Sequence, residues 1–142
     1  MTDAITTRNK QTVQRLYKEV LAEWNLSLVD ELVADQFFSH DWPEGGPRGP
    51  QPFRDFYVNI ICSALPDARY EVDDLIGEGD KEVVRWRLVG THKGKFQDIA
   101  PTGRAVTLNG VAIYRLRDGQ LVERWVVTDL HGLLSELRES SS

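Results

Sequence analysis

Apolar residues in the first third of the chain recur three and four positions apart, the spacing of a helix with one buried face. Val13, Leu16, Tyr17, Val20, Leu21 and Trp24 form such a stripe and predict a helix over 8–25, with Thr6 or Thr7 capping its start and Asn25 ending it. A second, short helix follows, with Leu28, Val29, Leu32 and Val33 on its apolar side and Ser27 and Asp30 as a capping-box-like pair. Residues 37–42, Phe-Phe-Ser-His-Asp-Trp, read as a short extended segment. The Pro/Gly-rich tract at 43–52 is a loop. Helical spacing returns with Phe53, Phe56, Tyr57, Ile60, Ile61 and Ala64, and Pro66 ends that element.

From Tyr70 the period changes to two. Tyr70, Val72, Asp74 and Ile76 alternate with Glu71, Asp73 and Leu75 before the turn at Gly77-Glu-Gly-Asp80. In the next strand Val84, Trp86, Leu88 and His92 share one parity and Val83, Arg85, Arg87 and Val89 the other. A third strand covers roughly 104–117, and Asp118-Gly119 is a hairpin turn because both residue types tolerate positive φ. The fourth strand runs from Leu121 to Thr128 or Asp129. A short helix carrying Leu130, Leu133, Leu134 and Leu137 closes the chain. Helices first and an antiparallel meander afterwards is an α+β pattern, and a strongly curved sheet with helices on its inner side makes a cone with a mouth. The whole chain, 1–142, is expected to be one domain, frayed at about 1–6 and 139–142.

A two-residue turn at Asp118-Gly119 pairs Leu116 with Leu121, Tyr114 with Glu123, Ala112 with Trp125 and Leu108 with Asp129 on one face. Asn109 then meets Thr128 on the other. A β-bulge in the hairpin reverses this parity beyond it.

Hydrophobic residues make up 41% of the 142 and charged residues 27%, a globular composition. The formal net charge of −5 and the lack of any Lys/Arg cluster with interleaved aromatics argue against nucleic acid. No apolar run reaches membrane-spanning length, and the first residues lack the apolar core of a signal peptide. A single cysteine, Cys62, fits a reducing compartment. The expected setting is cytoplasmic, without membrane or nucleic-acid partners.

Candidate chemistry centres on Asp129, a carboxylate at the apolar end of the hairpin, where lost hydration would favour its neutral form. The competing reading is that Asp129 only caps the last helix. His40, His92 and His131 have no ligand spacing, so no metal is expected. Trp24 and Phe53 read as core; Trp42 and Trp125 are the better pocket walls. Nucleophile-elbow, P-loop and dinucleotide-binding motifs are missing.

Gly90-Thr-His-Lys-Gly94, Phe96 and Pro101-Thr-Gly-Arg104, followed by Arg115, Asp118-Gly-Gln-Leu-Val-Glu123-Arg-Trp125, Asp129 and Gly132-Leu-Leu, resemble the SnoaL-like polyketide cyclase family. His40 before a Gly-rich loop, and Leu65-Pro66-Asp67, match the same layout. The resemblance implies a nuclear-transport-factor-2-like α+β cone with one deep pocket, and ring closure by intramolecular aldol chemistry with no metal or cofactor. It implies Asp129 as acid/base and His92 and His40 as hydrogen-bonding residues toward substrate. Tyr17, Phe56, Tyr57, Trp86 and Leu108 join Trp42 and Trp125 as expected pocket residues. The loop departs from the family where it reads Phe96-Gln-Asp-Ile-Ala-Pro101.

The leading expectation is therefore a cofactor-free cyclase or isomerase of a small hydrophobic carbonyl compound. A hydrolase or dehydratase using an Asp129–histidine pair, and a non-catalytic small-molecule-binding domain, are the alternatives. A homodimer, or a higher homo-oligomer, is expected through the outer sheet face, with Val83, Val89, Val111 and Val126 among Arg85, Arg87 and Arg124.

Overall fold

The computed structural model describes residues 4–140. Helix α1 (Ala4–Arg15) runs into a π-helical turn over Leu16–Val20. Together they bury Val13, Leu16, Tyr17 and Val20, and Leu21 just beyond them is buried too, most of the stripe that the spacing predicts. The helix begins before residue 8, since Thr6 lies within it as a buried residue rather than as its cap. It also ends before Asn25: Trp24 takes φ +58 and donates its indole N–H to the Ala68 carbonyl at 2.7 Å. A 3₁₀ turn (Leu26–Leu28) leads into α2 (Val29–Leu32). Ser27 bonds Asn25 there instead of capping α2, and Val33 opens a strand rather than closing the helix. The segment Pro50–Phe56 is α3, followed by a π-helical turn over Tyr57–Ile61 and the short α4 (Cys62–Ala64).

Five strands form one sheet in the order β1-β5-β4-β3-β2, with β1 Val33–Ser39, β2 Arg69–Glu78, β3 Lys81–Thr91, β4 Ala105–Arg117 and β5 Gln120–Thr128. Strands β2 to β5 are the antiparallel meander expected from the sequence. Strand β1 departs from it by pairing parallel to β5. No hairpin joins these two strands, so no tight turn imposes the antiparallel direction. Helix α5 (Leu130–Ser140) buries Leu133 and Leu137. Of the ends expected to fray, residues 1–3 and 141–142 lie outside the described residues, while residues 4–6 belong to α1 and 139–140 to α5. No described helix is long and apolar enough to cross a membrane.

Asp118 (φ +53) and Gly119 (φ +77) make the expected tight turn. The register changes just beyond it. Leu116 faces Leu121, but Arg115 faces Glu123, so Val122 is an extra residue in β5. From there Tyr114 pairs with Arg124, Ile113 with Trp125, Ala112 with Val126 and Gly110 with Thr128. The pairing expected from an unbroken hairpin, Tyr114 with Glu123 and Ala112 with Trp125, does not occur. Consecutive burial of Leu121 and Val122 is what the bulge accommodates. Arg124 and Val126, expected on the outer face, consequently turn inward, and Trp125 turns out. A second irregularity lies between Val72 and Asp74 in β2. Such bulges sharpen the local twist of a sheet.

Alternate residues of β3 and β4, including Val84, Trp86, Leu88, Leu108, Ala112 and Tyr114, join the buried residues of the helices in the core. Trp86 pairs with Gly110, and its indole fills the space that a Cβ at Gly110 would take. On the outer face Arg85 and Arg87 pair with Asp73, Asp74 and Glu71.

The turn Leu65-Pro66-Asp67 and the loop 90–94 hold each other. Asp67 accepts from the Thr91 backbone N–H at 2.7 Å and its hydroxyl at 2.8 Å, bonds that lower the Asp67 pKa. Lys93 and Gly94 donate to the Ala64 carbonyl at 3.1 and 3.0 Å. A Cβ at Gly94 would collide with the Ser63 carbonyl. Backbone cannot swing aside as a side chain can, so Gly94→Ala should cost about 1–3 kcal/mol in chemical denaturation.

Glu82 is wholly buried, and neither carboxylate oxygen has a hydrogen-bond partner among the described residues. Burial raises its pKa, against a weaker opposing pull from Lys10. The native state therefore keeps this proton to higher pH than the unfolded chain does. Its stabilising contribution is complete below the unfolded carboxyl value of about 4.3 and is lost as pH rises through the folded value. Thermal melts across that window should show the wild type weakening as pH rises and Glu82→Gln holding more nearly constant. Parallel profiles for the two proteins would contradict this.

Candidate functional site

Between the concave sheet face and α3 lies a cavity of about 590 Å³, a size suited to a small organic ligand. Trp86, Tyr70, Leu108, Ala112 and Val126 form its sheet side, and Phe56, Tyr57 and Ile60 its helical side. Phe96, Gln97 and Lys95, from the loop after β3, also line it.

Arg124 gives the cavity its charge. Its neighbours are set by strand order: Tyr114 opposite on β4 and Ser39 opposite on β1. Nε donates to the Ser39 hydroxyl at 2.9 Å, and Nη1 donates to the Tyr57 hydroxyl at 2.8 Å. Nη2 lies 4.0 Å from Asp41 Oδ1. Phe37, Trp42, Phe53 and Tyr57 surround the guanidinium with ring centroids 5.5–5.9 Å away. Burial opposes the charge, but the oxygens of Tyr57, Tyr114, Asp41 and Tyr17 outweigh it and raise the pKa, so Arg124 stays a cation.

Just after β1 the chain turns, with the Trp42 N–H bonded to the Ser39 carbonyl at 3.0 Å. Asp41, within this turn, lines the cavity, and the Ser39 hydroxyl donates to its carboxylate. Ser39 thus accepts from Arg124 and donates to Asp41. The phenols of Tyr17 and Tyr114 bond each other at 2.8 Å. Burial pushes Tyr17, Tyr57 and Tyr70 above the ordinary phenol range, although Arg124 pulls the other way. They remain neutral hydroxyls. Because Tyr57 accepts from Arg124, its own proton is free for another acceptor. The site therefore offers a fixed cation, neutral donors and one carboxylate, facing an otherwise apolar chamber.

The residues singled out in the sequence are divided by this geometry. Tyr17, Phe56, Tyr57, Trp86 and Leu108 line the cavity. Trp125 lies on the outer face, stacked on His40 at 4.8 Å. Trp42 lies beneath the guanidinium and borders an outer groove. His40 also stands outside, its Nε2 2.6 Å from Glu123 Oε2, while Arg115 donates to Glu123 Oε1 at 2.7 Å. These two contacts, Arg115's the stronger, lower the Glu123 pKa.

His92 faces inward, as its strand parity suggests, and is fully buried. The Thr102 backbone N–H donates to His92 Nδ1 at 3.2 Å, so Nδ1 must accept. Backbone bonds from His92 to Arg104 and from Gly103 to His92, both 2.8 Å, close the 101–104 turn around the ring. Its Nε2 has no partner among the described residues, and the ring borders a small apolar space beside Leu133 and Leu137. Asp129 lies outside the 590 Å³ cavity. It is exposed and caps α5, accepting from the Gly132 N–H at 3.2 Å. Among the described residues His40 is bonded to Glu123 and His92 to Thr102. Burial raises the Cys62 thiol pKa, away from a reactive thiolate.

Sequence reasoning missed Arg124, Asp41, Tyr70 and Tyr114 as cavity residues. The parity of Tyr70 and Tyr114 was a usable signal. Arg124 was hidden by the bulge and Asp41 by the turn.

The model of the SnoaL-like polyketide cyclase family matches residues 11–137. A search of curated proteins found no match. Among solved structures, one named by assignment as a SnoaL-like polyketide cyclase, from Jannaschia sp. CCS1, is 27% identical. It superposes with a TM-score of 0.84 over 96% of each chain. IdmH from Streptomyces antibioticus, named by assignment as a polyketide cyclase, is 28% identical. Its TM-score is 0.79 over 91% of this chain and 97% of its own. A protein from Acidithiobacillus ferrooxidans, named in the same way, is 23% identical with a TM-score of 0.81 over 99% of both chains, a likeness of fold. The helices folded into a curved five-stranded sheet are the α+β architecture of these relatives, and the family match over residues 11–137 shows that the chain belongs to the SnoaL-like polyketide cyclases.

Proposed function

We propose that the protein isomerises or cyclises a small hydrophobic carbonyl compound by acid/base chemistry drawn from its own side chains. The observation that carries this is a buried cation, Arg124, joined to the Tyr57 hydroxyl beside the Asp41 carboxylate. A ketone oxygen entering the cavity accepts from Tyr57, whose donor strength is increased by Arg124. Asp41 removes the proton next to the carbonyl, and the negative charge passes to the oxygen facing Tyr57 and Arg124. The carbanion carbon then attacks a second carbonyl of the same molecule. A new C–C bond forms, and the proton held by Asp41 goes to the new alkoxide. Atoms are conserved and no redox partner is needed. Membership in a family named for polyketide cyclases supports this class of substrate.

The family motif points to Asp129 as acid/base, whereas the cavity presents Asp41. Parallel substitution separates them. On a panel of diketo esters followed by absorbance and mass, Asp41→Asn should lower turnover by about 10²–10⁴ with its melting temperature kept. Asp129→Asn should change turnover little and stability by about 0.5–2 kcal/mol through loss of a helix cap. The reverse pattern would transfer the acid/base role to Asp129. Turnover unchanged in both variants would sink the acid/base reading altogether.

A further inference from the structure

We propose that this cavity is an anion receptor: its ligand is a flat, delocalised oxyanion, such as the enolate of a 1,3-dicarbonyl or a phenolate, bound in preference to the neutral form. The inference shares its cavity with the reading above and rests on the arrangement of charge there. The Arg124 side chain is 2% exposed, while that of Asp41, its acidic neighbour, is 35% exposed. Water therefore screens the carboxylate far more than the cation. Asp41 also approaches no closer than 4.0 Å and is already bonded to Ser39. Two of the guanidinium nitrogens have hydrogen-bond acceptors, Ser39 for Nε and Tyr57 for Nη1, and Nη2 has none among the described residues. A buried cation so incompletely matched gains from an anion at the vacant side.

Three further features fit a planar anion rather than a neutral ester. The buried phenols keep their protons, so Tyr57 approaches the ligand as a donor and adds no negative charge. Lys95 adds a second cation to the lining, in a protein whose formal net charge is −5. The rings of Trp86 and Tyr70, packed edge to face at 5.0 Å, line the same chamber and suit a conjugated ring that spreads its charge over many atoms. A localised, strongly hydrated anion such as inorganic phosphate would lose more hydration there than it regains.

The test uses 4-nitrophenol, whose ionised form alone absorbs in the visible and which has no carbon acid to react. With the full-length wild type near the probe's own pKa, added protein should increase the phenolate band. The fitted pKa of the bound probe should fall by at least about one unit, a tenfold preference for the anion. Arg124→Met should abolish the gain. Should that variant fail to fold, Val126→Phe, which fills the cavity and leaves Arg124 in the chain, should also abolish it. Arg48→Gln, on the outer groove, should leave it intact. An unchanged or diminished phenolate band with binding shown by tryptophan fluorescence would overturn the proposal, as would a gain that survives Val126→Phe or disappears with Arg48→Gln. Anion preference without turnover of any dicarbonyl would sink the catalytic reading and keep the receptor. Turnover with neutral-probe preference would do the opposite.

Discussion

One extra residue in β5 organises the chemistry of this protein. With Val122 bulged out of register, Arg124 rather than its neighbours faces Tyr114 and enters the core. A charge in such a place demands partners, and the chain supplies them from separate elements: Ser39 from β1, Tyr57 after α3 and Asp41 from the turn after β1. The same contacts that hold the edge strand and the helix against the sheet therefore also fix the donors of the cavity in place.

Division of labour follows from that constraint. The loop motifs that mark the family in this sequence serve largely as architecture here. Asp67 ties the end of β3 to the preceding turn, Gly94 lets backbone approach backbone, and the 101–104 turn closes around His92. These contacts position Lys95 and Phe96 at the cavity. Outside the sheet, Arg115, Glu123, His40 and Trp125 form a separate polar and aromatic row. The two faces of one hairpin thus carry different tasks, and the bulge decides which residue belongs to which.

The fold was readable because its signals are local. The stripe from Val13 to Leu21, the alternation in β3 and β4 and the Asp118-Gly119 turn each report burial or φ directly. The cavity wall was readable in part for the same reason, through the strand alternation that turns Trp86 inward and the helical spacing of Phe56 and Tyr57. What failed was register. A bulge depends on how Leu121 and Val122 pack against distant elements, and no residue type in the hairpin announces it. The parallel placement of β1 was equally invisible, because its partner lies more than eighty residues away. Asp129 stood out for an honest local reason: an aspartate before an apolar helix is a good cap, and that is the contact it makes.

Cross-strand proton contacts along β4 and β5, measured by nuclear Overhauser effects on isotope-labelled protein, test the central claim most directly. Backbone contacts are expected between the facing residues Tyr114 and Arg124, and between Ala112 and Val126. Contacts linking Tyr114 to Glu123 and Ala112 to Trp125 instead would mean an unbroken hairpin. Arg124 would then face outward, and the cavity would hold no buried guanidinium.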